Sequence, residues 1–245
     1  MLKDEIISYG KPKSIAAEAY RALRTNLEFS MNGEGAKTVL ITSSHVSEGK
    51  SSIAANLAAV FAMQNKKTVL IDADMRRGIQ YKRFEVQNNN GLSNYLANVN
   101  VKEKEFMKKT EIPNLSLITS GPVPPNPSEL LSLPRMKEML EGLKEDFDMI
   151  IIDGAPVLPV TDSVILSSIV DKVIVVTSCG ETHNDELKAV KATLDNAGAS
   201  IAGVVLNKVE MKGKGYGKYS KYSSGYYGAY YGSDDSDASD NKKKS

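Results

Sequence analysis

Short apolar runs closed off by polar or turn-forming residues recur along this chain, at 38–42 (TVLIT), 67–72 (KTVLID), 114–119 (NLSLIT), 148–153 (DMIIID), 171–177 (DKVIVVT) and 201–208 (IAGVVLNK). Rich in Val, Ile and Leu and too short for helices, they predict buried strands. Helical patterning fills the intervals. Residues 14–31 (SIAAEAYRALRTNLEFSM) set Ile15, Ala19, Leu23 and Leu27 on one helical face and Glu18, Arg21 and Arg24, spaced by three, on a second stripe. An Ala/Leu-rich helix opens at Gly49-Lys50-Ser51-Ser52, and a short one is predicted over 92–97. The proline-rich stretch from Gly121 enters a helix near Ser128 with Glu129 in its first turn, and another helix covers 184–196. Strands alternating with helices imply an α/β fold, a mostly parallel sheet with helices on both faces.

At 245 residues, with 41% hydrophobic and 25% charged, the composition suits one sizeable α/β core. The expected organisation is an N-terminal segment 1–36, a domain over 37–210 and a tail over 211–245. A net charge of +1 gives no reason to expect a nucleic-acid partner. No apolar run approaches the roughly 18 residues of a membrane span, and the opening MLKDEIISYG has no hydrophobic signal segment, so a cytoplasmic protein is expected. Cys179, the only cysteine, reads as a small residue near a strand end, and with two histidines beside it a zinc site is not expected.

The chemistry starts where the first strand meets its helix. Strand, polar loop and helix opening at Gly49-Lys50-Ser51 are the layout of a phosphate-binding loop, in which backbone N–H groups meet an anion, a lysine reaches the outer phosphates and a hydroxyl binds Mg²⁺. Ser44 stands where the first glycine of the strict pattern would be. Ser47, Glu48, Gly49, Lys50, Ser51 and Ser52 are the candidate nucleotide-binding residues. In an open parallel sheet, ligands lie outside the carboxyl ends of the strands, and Asp72, Asp74 and Asp153 sit at such ends. Phosphoryl transfer needs positioning and charge neutralisation. Lys50 and a Mg²⁺ held from Ser51, Asp153 and Asp72 would supply the neutralisation, and Asp72 or Asp74 would take the proton of the attacking oxygen. These carboxylates alone do not separate a kinase from a hydrolase, since tyrosine and water both need a base.

Beyond Met211 aliphatic residues almost vanish, which predicts disorder. Seven of the eleven tyrosines fall there: Tyr216, Tyr219, Tyr222, Tyr226, Tyr227, Tyr230 and Tyr231. They read as a stacking segment or as phosphorylation substrates. The H-R-D and D-F-G triplets of eukaryotic-type kinases are absent.

Together these residues resemble the bacterial tyrosine kinase family in its two-component, Gram-positive form, which includes the kinases that control capsule and exopolysaccharide synthesis. The blocks that carry the resemblance are EAYRALRTN at Glu18, EGKSS at Glu48, VLIDADMRR at Val69, GPVPPNPSELL at Gly121, IIIDGAPVLPVTD at Ile150, GVVLNK at Gly203 and the tyrosine cluster. The resemblance implies a P-loop NTPase-like domain and an ATP- and Mg²⁺-dependent autokinase that phosphorylates its own tail tyrosines, mostly between subunits of a ring. It also implies a subunit-packing role for Glu18, Arg21 and Arg24, adenine recognition by Asn207, an activator of the membrane polysaccharide co-polymerase kind that brings the chain to the membrane's inner face, and a tyrosine phosphatase that reverses the reaction. Departures from the family pattern are Val46 and Ser47 for proline and glycine, Gly78 for a proline, Tyr81 for a histidine, and Asp153-Gly154-Ala155-Pro156 for D-T-P-P. The alternative is a partition or division-site ATPase switch, whose loop begins K-G-G where this chain has His45, Val46 and Ser47.

Overall fold

A computed structural model describes residues 6–31, 37–98 and 100–209. In chain order the elements are α1 (Ile7–Gly10), α2 (Ile15–Ser30), β1 (Lys37–Ser43), α3 (Lys50–Ala62), β2 (Thr68–Asp72), α4 (Gln80–Arg83), α5 (Leu92–Ala97), a 3₁₀ turn (Glu103–Phe106), β3 (Met107–Lys109), β4 (Leu115–Ile118), α6 (Pro127–Leu131), α7 (Pro134–Lys144), β5 (Met149–Asp153), α8 (Asp162–Ser167), β6 (Lys172–Ser178), α9 (Asn184–Asn196) and β7 (Ile201–Asn207). The sheet order is β3-β4-β2-β5-β1-β6-β7. Every pairing is parallel except that of β3 with β4. All the predicted strands are present. The short antiparallel β3, of sequence MKK, carries no apolar run that could have announced it.

The apolar runs are buried on both faces because alternate side chains serve different layers. Val39, Ile41, Leu70 and Ile151 pack into one core with Ile53, Leu57 and Phe61 of α3. Leu40, Val69, Ile71, Ile150 and Ile152 pack into the other with residues of α5, α7, α8 and α9. Helix α3 is apolar almost all round and accordingly buried along nearly its whole length, between the sheet and α2.

Helix α2 begins where expected, with Ser14 Oγ accepting from Ala17 N at 3.2 Å. The face it buries is only partly the expected one: Leu23 and Leu27 turn inward and Ile15 and Ala19 do not. Ala17 and Leu27 are buried and Tyr20, Leu23 and Met31 pack partly on the α3 core, whereas Ile15 is 48% exposed and Ala19 is exposed. Arg24 accounts for part of the rotation. Its Nη1 reaches the Val60 carbonyl at 3.4 Å, in the last turn of α3, and so lies on the inner side of the helix. The polar stripe and the core-facing stripe therefore overlap, which apolar spacing does not reveal.

The segment 88–97 is strapped to the end of β4. Asn88 pairs with both backbone groups of Gly121 (2.9 and 3.0 Å), and Leu92 N donates to Thr119 O at 2.8 Å. Gly91 sits so close that a Cβ would overlap Thr119 O and Gly121 N, both backbone atoms that cannot step aside. Gly91→Ala is therefore expected to cost about 1–3 kcal/mol by overpacking, and a thermal melt unchanged from the parent would contradict this strap.

Candidate active site

The loop 44–49 joins β1 to α3, and its shape is set by contacts from distant strands. Gly49 has φ +95°, and a Cβ there would overlap Asn207 Nδ2. Asn207 closes β7 and donates that Nδ2 to Glu48 O at 2.9 Å. Ser47 also takes a left-handed φ, +66°. It stands at the resembled family's glycine position and bears the cost a side chain incurs there, about 1 kcal/mol. The Glu48 carboxylate is buried and spent on the loop itself, accepting from His45 N at 2.8 Å and from the Thr182 hydroxyl beyond β6. His45 Nε2 in turn lies 3.0 Å from Glu186 Oε1 on α9. These ties leave the backbone N–H groups at the start of α3 free to face an anion.

Lys50 is almost buried. Its Nζ lies 2.8 Å from Asp74 Oδ2, 3.4 Å from Ser51 Oγ and 3.9 Å from Asp153 Oδ1. Burial alone would lower its pKa, but the charges of Asp153 and Asp74 outweigh that and hold it above the ordinary lysine value. Asp72 and Asp153 end neighbouring strands at the same register position, and both are 0% exposed. Burial, with the Asp153 charge second, pushes the Asp72 carboxyl well above the usual range. Burial raises Asp153 as well, opposed by Lys50, by the hydrogen bond from Gln80 and by the Ser51 hydroxyl nearby. Asp74 is engaged at both oxygens, by Lys50 and by Arg77 N at 3.0 Å.

The structure thus gathers Ser47, Glu48, Gly49, Lys50, Ser51, Asp72, Asp74, Asp153 and Asn207 at one sheet edge. The hydroxyl of Ser52 is already taken, accepting from Arg83 Nη2 at 2.9 Å. Glu18 and Arg21 pair with each other on α2, and Arg24 contacts the last turn of α3, roughly 15 Å of helix from Lys50. The seven tail tyrosines lie outside the described residues. Two features of the site went unread in the sequence. Gln80, in the first position of α4, is 0% exposed and touches Asp72, Asp153 and Ser51. Asp162, fully buried, holds Arg76 by Nε and Nη2 (2.9 and 3.1 Å) and accepts from Ser128 Oγ at 2.7 Å, pinning the loop after β2 to α6 and α8. Only eight residues separate Gln80 from Asp72, but no motif marks it.

The residues fit a nucleotide with its cation. Asp72 Oδ1, Asp153 Oδ1, Ser44 Oγ and Ser178 Oγ are buried without hydrogen-bond partners. Buried polar atoms seldom go unpaired unless a ligand, ion or water completes them. Among the described residues no group of three or more His, Cys, Asp or Glu could hold a metal by itself. Mg²⁺ does not need one, since it is bound through one or two carboxylates plus waters and phosphates.

The Asp72 shift has a measurable consequence. A carboxyl raised in the fold keeps its proton where the unfolded chain has lost it, so its contribution favours the fold at low pH and is lost as pH rises through the folded value. Asp72→Asn keeps an oxygen for Gln80 N and removes the buried charge. Without nucleotide or Mg²⁺, the variant is expected to melt above the parent at about pH 8, by about 2–4 °C per kcal/mol recovered. The gap should close as pH falls toward about 4; a gap independent of pH would overturn the assignment.

Comparison with known proteins agrees with this geometry. The model of the AAA domain family matches residues 36–202. The chain is 39% identical over 227 residues to the tyrosine-protein kinase YwqD of Bacillus subtilis (strain 168), covering 93% of this chain and 92% of that one. The kinase domain of the Escherichia coli tyrosine kinase ETK superposes with a TM-score of 0.82 at 35% identity, over 85% of this chain and 82% of that one. The septum site-determining protein MinD of Pyrococcus horikoshii OT3, solved with Mg-ADP, shares the fold with a TM-score of 0.61 at 20% identity, over 72% of each chain. A core of this fold, a lysine set among strand-end aspartates, and identity along nearly the whole of a kinase's length lead to one assignment: the chain belongs to the AAA domain family and, within it, to the bacterial tyrosine-protein kinases.

Proposed function

We propose that this protein is an ATP- and Mg²⁺-dependent protein-tyrosine autokinase of P-loop NTPase type. Its substrates are Tyr216, Tyr219, Tyr222, Tyr226, Tyr227, Tyr230 and Tyr231, phosphorylated mainly between subunits, and its setting is the control of capsule or exopolysaccharide synthesis. The observation that carries the reading is the convergence of Lys50, Asp72, Asp74 and Asp153 at the edge where β7 ends, because Asn207 bonds the phosphate loop and Tyr216 follows nine residues later. At about 3.4 Å per extended residue that segment spans up to about 30 Å, enough to reach its own site or a neighbour's.

The chain's residues divide the work as follows. The backbone from Ser47 to Ser52 cradles the phosphates, with Asn207 closing the loop beside the base. Lys50 leaves Asp74 for the outer phosphates, and this frees Asp74 Oδ2. Ser51 and Asp153, with Asp72 beside them, are the residues that would hold Mg²⁺, which when bound neutralises charge on the β- and γ-phosphates. Asp74, released and closer to the surface than Asp72, takes the proton of the tyrosine hydroxyl. The phenolic oxygen then bonds to the γ-phosphorus as the bond to the β-phosphate oxygen breaks, and ADP leaves.

Assembly is proposed on the same footing. Glu18, Arg21 and Arg24 lie on α2, whose outer face exposes Ile15 (48%) and Phe29 (80%), apolar surface suited to a second copy in a ring. A membrane polysaccharide co-polymerase-type activator would hold the protein at the inner face of the membrane, and a tyrosine phosphatase would reverse the modification. Among the described residues no helix is long and apolar enough to cross a membrane. The partition or division-site switch fits less well, since His45 replaces its signature lysine and is anchored to Glu186.

Intact mass after incubation with ATP and Mg²⁺ tests the proposal. The wild type is expected to gain phosphate on 211–245 and Lys50→Met to gain none while melting normally. Phosphate on the purified variant would sink the reading, and ATP turnover unchanged by deleting 212–245, with no phosphotyrosine formed, would point to the switch.

A further inference from the structure

Two like-charged carboxylates at adjacent strand ends need something to decide where each oxygen points. Gln80 is placed to do so. Its backbone N–H donates to Asp72 Oδ2 at 3.0 Å, and its side-chain Nε2 donates to Asp153 Oδ2 at 2.8 Å and to Ser51 O at 2.9 Å. Both hydrogens of the amide nitrogen are therefore used. One oxygen of each aspartate is fixed by this one residue, and the other, Oδ1 in both, is left without a hydrogen-bond partner. Asp153 Oδ1 is the oxygen on the lysine side, 3.9 Å from Lys50 Nζ. The bond to Ser51 O ties the same amide to the first turn of α3, so the hydroxyl-bearing residue and both carboxylates share one bracket. Gln80 is 0% exposed and its Oε1 has no hydrogen-bond partner, an arrangement that burial alone does not favour.

We propose that Gln80 is the positioning residue of the cation site: its backbone N–H holds Asp72 Oδ2 and its side-chain amide holds Asp153 Oδ2 and Ser51 O, which leaves both Oδ1 atoms for the Mg²⁺ that would bind there. The inference rests on the nucleotide-binding reading above. Gln80 touches neither substrate nor reacting atoms and acts through the two aspartates and Ser51. Losing such an outer-shell partner typically weakens metal affinity by about 10–100-fold.

The test uses the full chain and a fluorescent ADP analogue, titrated in EDTA and again across a range of Mg²⁺ concentrations. Gln80→Leu removes the amide, and Gln80→Glu keeps its size but replaces the donor with a third carboxylate. Both variants are expected to bind the analogue in EDTA as the parent does, while the Mg²⁺ concentration for half-maximal tightening rises about 10–100-fold. Catalysis should recover toward the parent rate at high Mg²⁺. A parent-like Mg²⁺ midpoint in both variants would overturn the proposal. So would equal weakening with and without Mg²⁺, or failure of both variants to fold, either of which makes Gln80 a packing element only. A parent whose nucleotide affinity ignores Mg²⁺ would instead count against the proposed function itself.

Discussion

Asp72 and Asp153 end adjacent parallel strands at the same register, both fully buried. With strands about 4.8 Å apart, two full charges there would repel by on the order of 3 kcal/mol at an effective dielectric near 20. The surrounding structure answers that repulsion: Lys50 approaches from α3, Gln80 donates to both carboxylates, and burial raises the pKa of both. A site that carries such a cost without ligand is suited to bind one of opposite charge, because cation and charged phosphates then take over interactions the protein alone completes poorly.

The fold makes this arrangement possible by placing β1 between β5 and β6, with β2 on the far side of β5. The phosphate loop after β1 thus lies beside the aspartates that end β5 and β2 on one side and beside the ends of β6 and β7 on the other. Contacts from Thr182 and Asn207 lock its shape. In this way the loop tolerates Ser47 where a glycine is usual: tertiary hydrogen bonds hold a left-handed turn that local preference would not select. Gly78, standing where the resembled family has a proline, is similarly accounted for. A Cβ there would overlap Ser120 Oγ and lie 3.0 Å from Asp72 Oδ2.

Helix α2 illustrates how charge can mislead a reading of periodicity. Glu18 and Arg21 satisfy each other, whereas Arg24 reaches the carbonyl end of α3 and draws its side of the helix inward. Long basic side chains bury their stems beside apolar surface, so the packed stripe need not follow the apolar residues alone. What is left outside, with Phe29 at 80% exposure, is a second apolar surface.

The strands, the helix opening at Lys50 and the strand-end aspartates were legible in the chain because each depends on neighbouring residues: apolar run length, a Gly-Lys-Ser turn, a carboxylate after a β run. Lys50, Asp72, Asp74 and Asp153 were therefore nameable before any coordinates. The rest depended on which strands became neighbours. β3 pairs only because β4 offers a free edge, α2 turns on a carbonyl 36 residues away, and Gln80 matters only because parallel pairing of β2 with β5 sets two carboxylates beside it. Hydrogen bonds and like-charge repulsion act over a few ångströms in space, whatever the separation along the chain. Residue type and local order determined which groups could do the chemistry, and sheet topology decided which oxygen of each would be free to do it.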